Sequence, residues 1–134
     1  MSLAAMTMQP DLWAAGVDLF GIANFHSFLK NTGAWRQQNR IAEYGDPVRD
    51  SAFLVSISPL THVEKIAKPL FVFQGKNDPR VPHTESEQMV EAVRKKGVQV
   101  EYVLLDDEGH GISKRPNRIR VYTNLVDFLD KVLK

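Results

Sequence analysis

Leu70-Phe71-Val72-Phe73-Gln74-Gly75-Lys76-Asn77-Asp78-Pro79-Arg80-Val81-Pro82 is the stretch that decides the fold. Its first five residues form a nearly continuous apolar run. That is the pattern of a strand covered on both faces inside a parallel sheet. Gly75 closes the run, and Pro79 and Pro82 stiffen the loop that follows. Beyond the loop, Thr84 and Glu87 have the spacing of a capping box at a helix start. Met89, Val90 and Val93 then make an apolar stripe, and Lys95-Lys96-Gly97 supplies a cationic last turn and a glycine stop. Val98 to Leu105 reads as a second strand. A loop runs through Gly111, and Ile119, Tyr122, Leu125, Val126, Leu129 and Val132 mark a helical period across Asn117 to Leu133.

The order strand, loop, helix, strand, loop, helix predicts an α/β fold, mostly parallel, with right-handed crossovers and flanking helices. Upstream the pattern is weaker. Ala4 to Gln9 fits the tail of a helix ended by Pro10, and Trp13 to Asp18 is a candidate buried strand. From Phe20 to Pro59 scattered aromatics and Gly33, Gly45 and Pro47 predict short helices and a long excursion, with a helix opening near Asp46 to Ser51.

At 134 residues the chain is long enough for one domain with a modest core. A net charge of +1 gives no electrostatic case for nucleic acid or an anionic membrane. No apolar run reaches the length of a membrane span. Zero cysteines exclude disulfides, thiolate zinc sites and a cysteine nucleophile. They suit a reducing, cytoplasmic compartment without establishing one. Met1-Ser2-Leu3 reads as an artificial start joined to an interior sequence.

Chemistry enters at the loops. In open parallel sheets, sites lie beyond the carboxyl ends of the strands. Asp78 follows the first of the two clear strands; Asp107-Glu108-Gly109-His110-Gly111 follows the second. Loops at one sheet edge can bring Asp78 and His110 together. A serine hydroxyl needs a neighbouring imidazole to take its proton, and the imidazole needs a carboxylate to fix its tautomer. Acid before histidine, with serine upstream, is the α/β-hydrolase order. The glycines beside His110 predict a tight loop. His26, His62 and His83 have no ligand-like spacing, Asp106 and Asp107 have no accompanying cluster, and neither a metal nor a cofactor is expected.

From Pro10 to the C-terminus the chain resembles the C-terminal part of the catalytic domain of the prolyl oligopeptidase family of serine peptidases. Gln9 to Val17 is similar to the segment after that family's nucleophile helix. Ser58-Pro59-Leu60 and Ile66 to Leu70 resemble the approach to the penultimate core strand, Gly75 to Pro82 the acid loop, and Glu108 to Gly111 the histidine loop. The resemblance implies that residues 1–134 are part of one α/β-hydrolase domain. It implies Asp78 as the triad acid, His110 as the base, a peptide substrate, and Arg80 and Val81 near that substrate. Arg80 could equally form a structural ion pair.

The pattern is incomplete. No Gly-x-Ser-x-Gly surrounds any of Ser2, Ser27, Ser51, Ser56, Ser58, Ser86 or Ser113. The expectation is therefore an inactive fragment lacking nucleophile and oxyanion donors. An open strand edge predicts a homo-oligomer. Two other readings stay open: a non-catalytic interaction module on a hydrolase scaffold, and an esterase or dienelactone-hydrolase relative.

Overall fold

The computed structural model describes residues Met1–Lys134. Three parallel strands, β1 (Gly16–Leu19), β2 (Leu70–Gly75) and β3 (Val100–Leu105), form one sheet in the order β1-β2-β3. Gly16 lies opposite Leu70 and Leu19 opposite Phe73; Leu70 also faces Val100, and Gly75 faces Leu105. Every residue of β2 is buried, as its unbroken apolar sequence requires of a central strand.

Six helices surround the sheet: α1 (Ser2–Met8), α2 (Phe25–Asn31), α3 (Ala34–Tyr44), α4 (Ser51–Ile57), α5 (His83–Lys95) and α6 (Arg115–Val132). Alternate side chains of β2 face opposite layers. Leu70 and Val72 join Leu3 and Met6 of α1 and Met89, Val90 and Val93 of α5 in one core. Phe71 and Phe73 join Val103, Leu105, and Val121 and Phe128 of α6 in the other. Phe71 and Phe73 are fully buried, and each such side chain contributes roughly 1.5–3 kcal/mol. A third cluster, Phe28, Leu29, Leu54 and Val81, packs α2 and α4 over the loop after β2. The crossover β2–α5–β3 is thus a complete parallel unit.

Several sequence expectations shift. The apolar run from Trp13 is not wholly strand. Pro10–Leu12 makes a 3-10 turn, and the Trp13 indole donates to the Ala5 carbonyl at 3.2 Å, so Trp13 packs back on α1 and pairing begins at Gly16. The capping box is not formed. Pro82 precedes the first turn of α5 and Thr84 lies inside it, with no side-chain cap; Glu87 instead faces His83 at 3.8 Å. The glycine stop is as expected, with Gly97 at φ +76°. Lys96 has a more specific role than dipole balance. Its ammonium donates to the carbonyls of Val63, Glu64 and Ile66 at 2.7–2.9 Å, closing the end of the 3-10 segment Pro59–Lys65.

β1 pairs with β2 alone, so its far edge has no partner strand. Beside it a cavity of about 300 Å³ is lined by Ala5, Met6, Trp13 and Val17 among others. No helix is long and apolar enough to cross a membrane.

Candidate active site

Asp78 sits in the loop leaving β2, and the polar last residues of that strand prepare its place. Gln74 is fully buried. Its Nε2 donates to Asp78 Oδ2 at 3.2 Å and to the carbonyls of Gly75 and Val81 at 3.1 Å, while its Oε1 accepts from Ser86 Oγ at 3.0 Å. Asp78 Oδ1 accepts the backbone N–H groups of Arg80 at 2.7 Å and Val81 at 3.0 Å. One carboxylate oxygen thereby folds its own loop, and the other faces the histidine.

His110 reaches Asp78 from the loop after β3. Its Nδ1 lies 2.7 Å from Asp78 Oδ2, with the Asp78 side chain fully buried and the imidazole 29% exposed. His110 Nε2 makes no hydrogen bond within the chain. The two loops are joined by backbone bonds from Lys76 N–H to the Leu105 carbonyl at 2.9 Å and from Asn77 N–H to the Glu108 carbonyl at 3.0 Å.

The glycines beside His110 are not the ones under constraint. Neither Gly109 nor Gly111 has a positive φ, and a Cβ at Gly111 would meet open space. The close approach is at Gly75, where a Cβ would lie 2.1 Å from the Gly109 carbonyl oxygen.

Glu108, only 3% exposed, fixes the far end of the histidine loop. It accepts from the hydroxyl of Ser113 at 2.6 Å, the amide of Asn117 at 2.9 Å and the backbone N–H groups of Lys114 and Ser113 at 2.8 and 3.1 Å. These donors, the Ser113 hydroxyl foremost, pull its carboxyl down to about 2. Glu108 therefore ties the backbone just before α6 to the Asn117 side chain in its first turn.

Phe20, directly after β1, lies against the imidazole, with ring centroids 4.6 Å apart. It also lines a cavity of about 850 Å³ beyond the carboxyl end of β1, with Asp18, Phe25 and Tyr44 among the other walls. Asp18 is buried and its Oδ2 has no partner. Burial raises its carboxyl to about 6, against the opposing pull of the N-terminal ammonium and the Gly21 amide. Glu85 on α5 accepts the N–H groups of Ala23 and Asn24 at 3.1 and 2.9 Å, and the Ser27 hydroxyl, anchoring this cavity's rim.

Arg80 is exposed and its guanidinium forms no ion pair. Its carbonyl accepts the Thr32 hydroxyl at 2.9 Å. Val81 is 5% exposed and packs with Phe28, Leu29 and Leu54. The serine hydroxyls are elsewhere. Ser86 and Ser113 serve Gln74 and Glu108; Ser56 and Ser58 donate to the carbonyls of Phe53 and Leu54. Ser51 Oγ lies 3.2 Å from His26 Nε2, a pair with no carboxylate behind it. No group of acidic or histidine side chains has the arrangement of a metal site.

Sequence reading missed Gln74, Glu108, Phe20 and Glu85. A signal existed for the first: a polar residue ending an otherwise apolar buried strand needs hydrogen bonds.

The sequence profile of the prolyl oligopeptidase family matches residues 1–134. The chain belongs to that family. It is 40% identical over 121 residues to dipeptidyl aminopeptidase BIII of Pseudoxanthomonas mexicana, covering 87% of this chain and 18% of that protein. It is 35% identical over 138 residues to dipeptidyl peptidase family member 6 of Caenorhabditis elegans, covering 98% of this chain and 19% of the relative. Its fold superposes on a Mycobacterium tuberculosis puromycin-hydrolyzing peptidase with a TM-score of 0.87 at 29% identity, over 97% of this chain and 20% of that one. The sheet and helices are thus part of an α/β-hydrolase peptidase fold, and the chain spans about a fifth of the length of these three proteins.

Proposed function

We propose that this chain carries the acid and base of a serine peptidase acting on peptide or acyl-peptide bonds. The nucleophilic serine and the oxyanion donors belong to residues outside these 134, and the chain alone is inactive. The observation that carries the reading is the 2.7 Å contact between Asp78 Oδ2 and His110 Nδ1, with Asp78 Oδ1 held by two backbone amides.

In this reading His110 Nε2 takes the serine proton as the oxygen–carbon bond forms. It then passes that proton to the leaving amine as the carbon–nitrogen bond breaks. Water repeats the sequence and frees the acyl group. Asp78 remains ionised throughout, holding the Nδ1–H tautomer and stabilising the imidazolium. The free guanidinium of Arg80 supports a role in contacting substrate carbonyls. Val81 acts from behind, keeping the acid loop seated on α2 and α4. The open edge of β1 supports self-association of the isolated chain.

The test is peptide-anilide hydrolysis by a longer protein that includes these residues, alongside this chain. Loss of turnover in the longer protein on His110→Ala, with none in the chain, is the expected result. Turnover by the 134-residue chain that His110→Ala abolishes would overturn the missing-nucleophile reading. An unaffected His110→Ala in the longer protein would remove the base assignment.

A further inference from the structure

We propose that Phe20 is a positioning residue that sets the plane of the His110 ring; the inference rests on reading Asp78 and His110 as an acid–base pair. A hydrogen bond from Nδ1 to Asp78 fixes one end of the imidazole. A single hydrogen bond is a soft restraint, and alone it lets the ring rock about its side-chain torsions and swing Nε2 away from a reacting atom. Hydrogen bonding within the chain offers no second constraint, since Nε2 has no partner. The backbone bond from Asn77 to Glu108 pins the loop, but it fixes where the side chain starts and not the plane of its ring. A second contact is the face of Phe20, 4.6 Å between centroids with the planes 37° apart. Stacking restricts that rocking, so bond and ring together define where Nε2 points.

The backbone shows that this placement is specific. Phe20 has φ +60° and is the one non-glycine residue of the chain with positive φ. Side chains alternate along a strand. In β1, Val17 faces the core of Phe71 and Phe73, whereas Gly16 faces Leu70 and Met6. An extended continuation would send Phe20 to the Gly16 side, away from His110. The left-handed turn at Phe20 reverses that direction. It delivers the ring to the Phe73 layer, where it meets Phe73 edge to face at 5.0 Å. The Phe20 N–H still completes the ladder to the Phe73 carbonyl at 3.3 Å, so pairing is kept while the side chain changes face. Strained residues of this kind persist where surroundings over-determine them, and they cluster at functional sites. Phe20 is only partly buried, so core packing alone does not account for the strain.

The experiment is NMR of the 134-residue chain with isotope-labelled histidine, at a pH where His110 is neutral. Ring relaxation reports the plane, and the ring nitrogen shifts report the tautomer. In the unsubstituted chain and in Phe20→Tyr the His110 ring is expected to be rigid and a single Nδ1–H tautomer. In Phe20→Leu and Phe20→Gly the ring gains fast motion, while backbone signals of the sheet remain. Phe20→Gly is the safer variant, since glycine accepts a positive φ and removes only the ring. An equally rigid His110 ring in both truncated variants would overturn the inference. Asp78→Asn tests the underlying pair separately: a tautomer preference unaffected by that change would sink the acid–base reading, whatever Phe20 does to ring motion.

Discussion

Gly75 and Gly109 approach so closely that a single added carbon at Gly75 would lie 2.1 Å from the Gly109 carbonyl oxygen. The obstruction is backbone, which cannot rotate aside. Gly75→Ala must therefore push the acid loop and the histidine loop apart. The expected loss is roughly 1–3 kcal/mol, the usual cost of overpacking a tight contact. Urea denaturation of the chain measures it, and a variant with unchanged midpoint would show that the approach is not required. Gly111→Ala, with open space around the added carbon, is the control expected to cost almost nothing.

Two substitutions separate the part Asp78 plays in folding its own loop from the chemical role proposed for it. Asp78→Ala strips the Arg80 and Val81 amides of their acceptor. Leaving buried polar groups unpaired costs about 1–3 kcal/mol each, so a marked fall in thermal midpoint is expected. Asp78→Asn keeps the shape of the carboxylate and most of the stability. In a longer, active protein it should still lower kcat by about 10⁴, through the wrong imidazole tautomer. Equal stability of the alanine variant and the parent chain would contradict this division.

Glu108 and Asp18 give opposite pH dependences. Glu108 has a folded-state value of about 2 against an ordinary 4.5. Its contribution is complete above 4.5 and is lost as pH falls towards 2. Glu108→Gln should flatten the stability profile between those values. Asp18 has a folded-state value of about 6 against an ordinary 3.8. It penalises the folded state as pH rises from 3.8 through 6, and the penalty is absent below 3.8. Asp18→Asn should therefore stabilise the chain at pH 7 by up to about 3 kcal/mol and have little benefit at pH 3.5. Chemical denaturation across this range decides both; a gain for Asp18→Asn that is the same at pH 3.5 and 7 would refute the burial argument.

The open edge of β1 carries a prediction about assembly. Leu19 is 48% exposed on that short strand. Light scattering after size exclusion should find association that grows with concentration. Leu19→Lys, a charge on the edge, should return the chain to monomer. A compact monomer of the unsubstituted chain at high concentration would end the proposal.

The central strand, the crossover helix and the meeting of Asp78 with His110 were legible because each rests on a local rule. β2 is apolar throughout, α5 has a helical stripe, and acid and histidine each follow a strand. What escaped depended on tertiary partners. Trp13 is as apolar as a strand residue, and only its bond to Ala5 takes it out of the sheet. Thr84 and Glu87 have capping-box spacing, but Pro82 already caps the helix two residues earlier. Glu108 stands within the histidine-loop motif, but the partners that give it a task, Ser113, Lys114 and Asn117, lie past the loop. Phe20 was one aromatic among many, because nothing in local sequence announces a left-handed phenylalanine.

Asp78 and His110 hang from two adjacent strands joined by one crossover. Their mutual distance is consequently a property of a short, contiguous piece of polypeptide. Changes to the loops and helices outside that piece can leave the pair undisturbed, so it behaves as a self-contained cartridge.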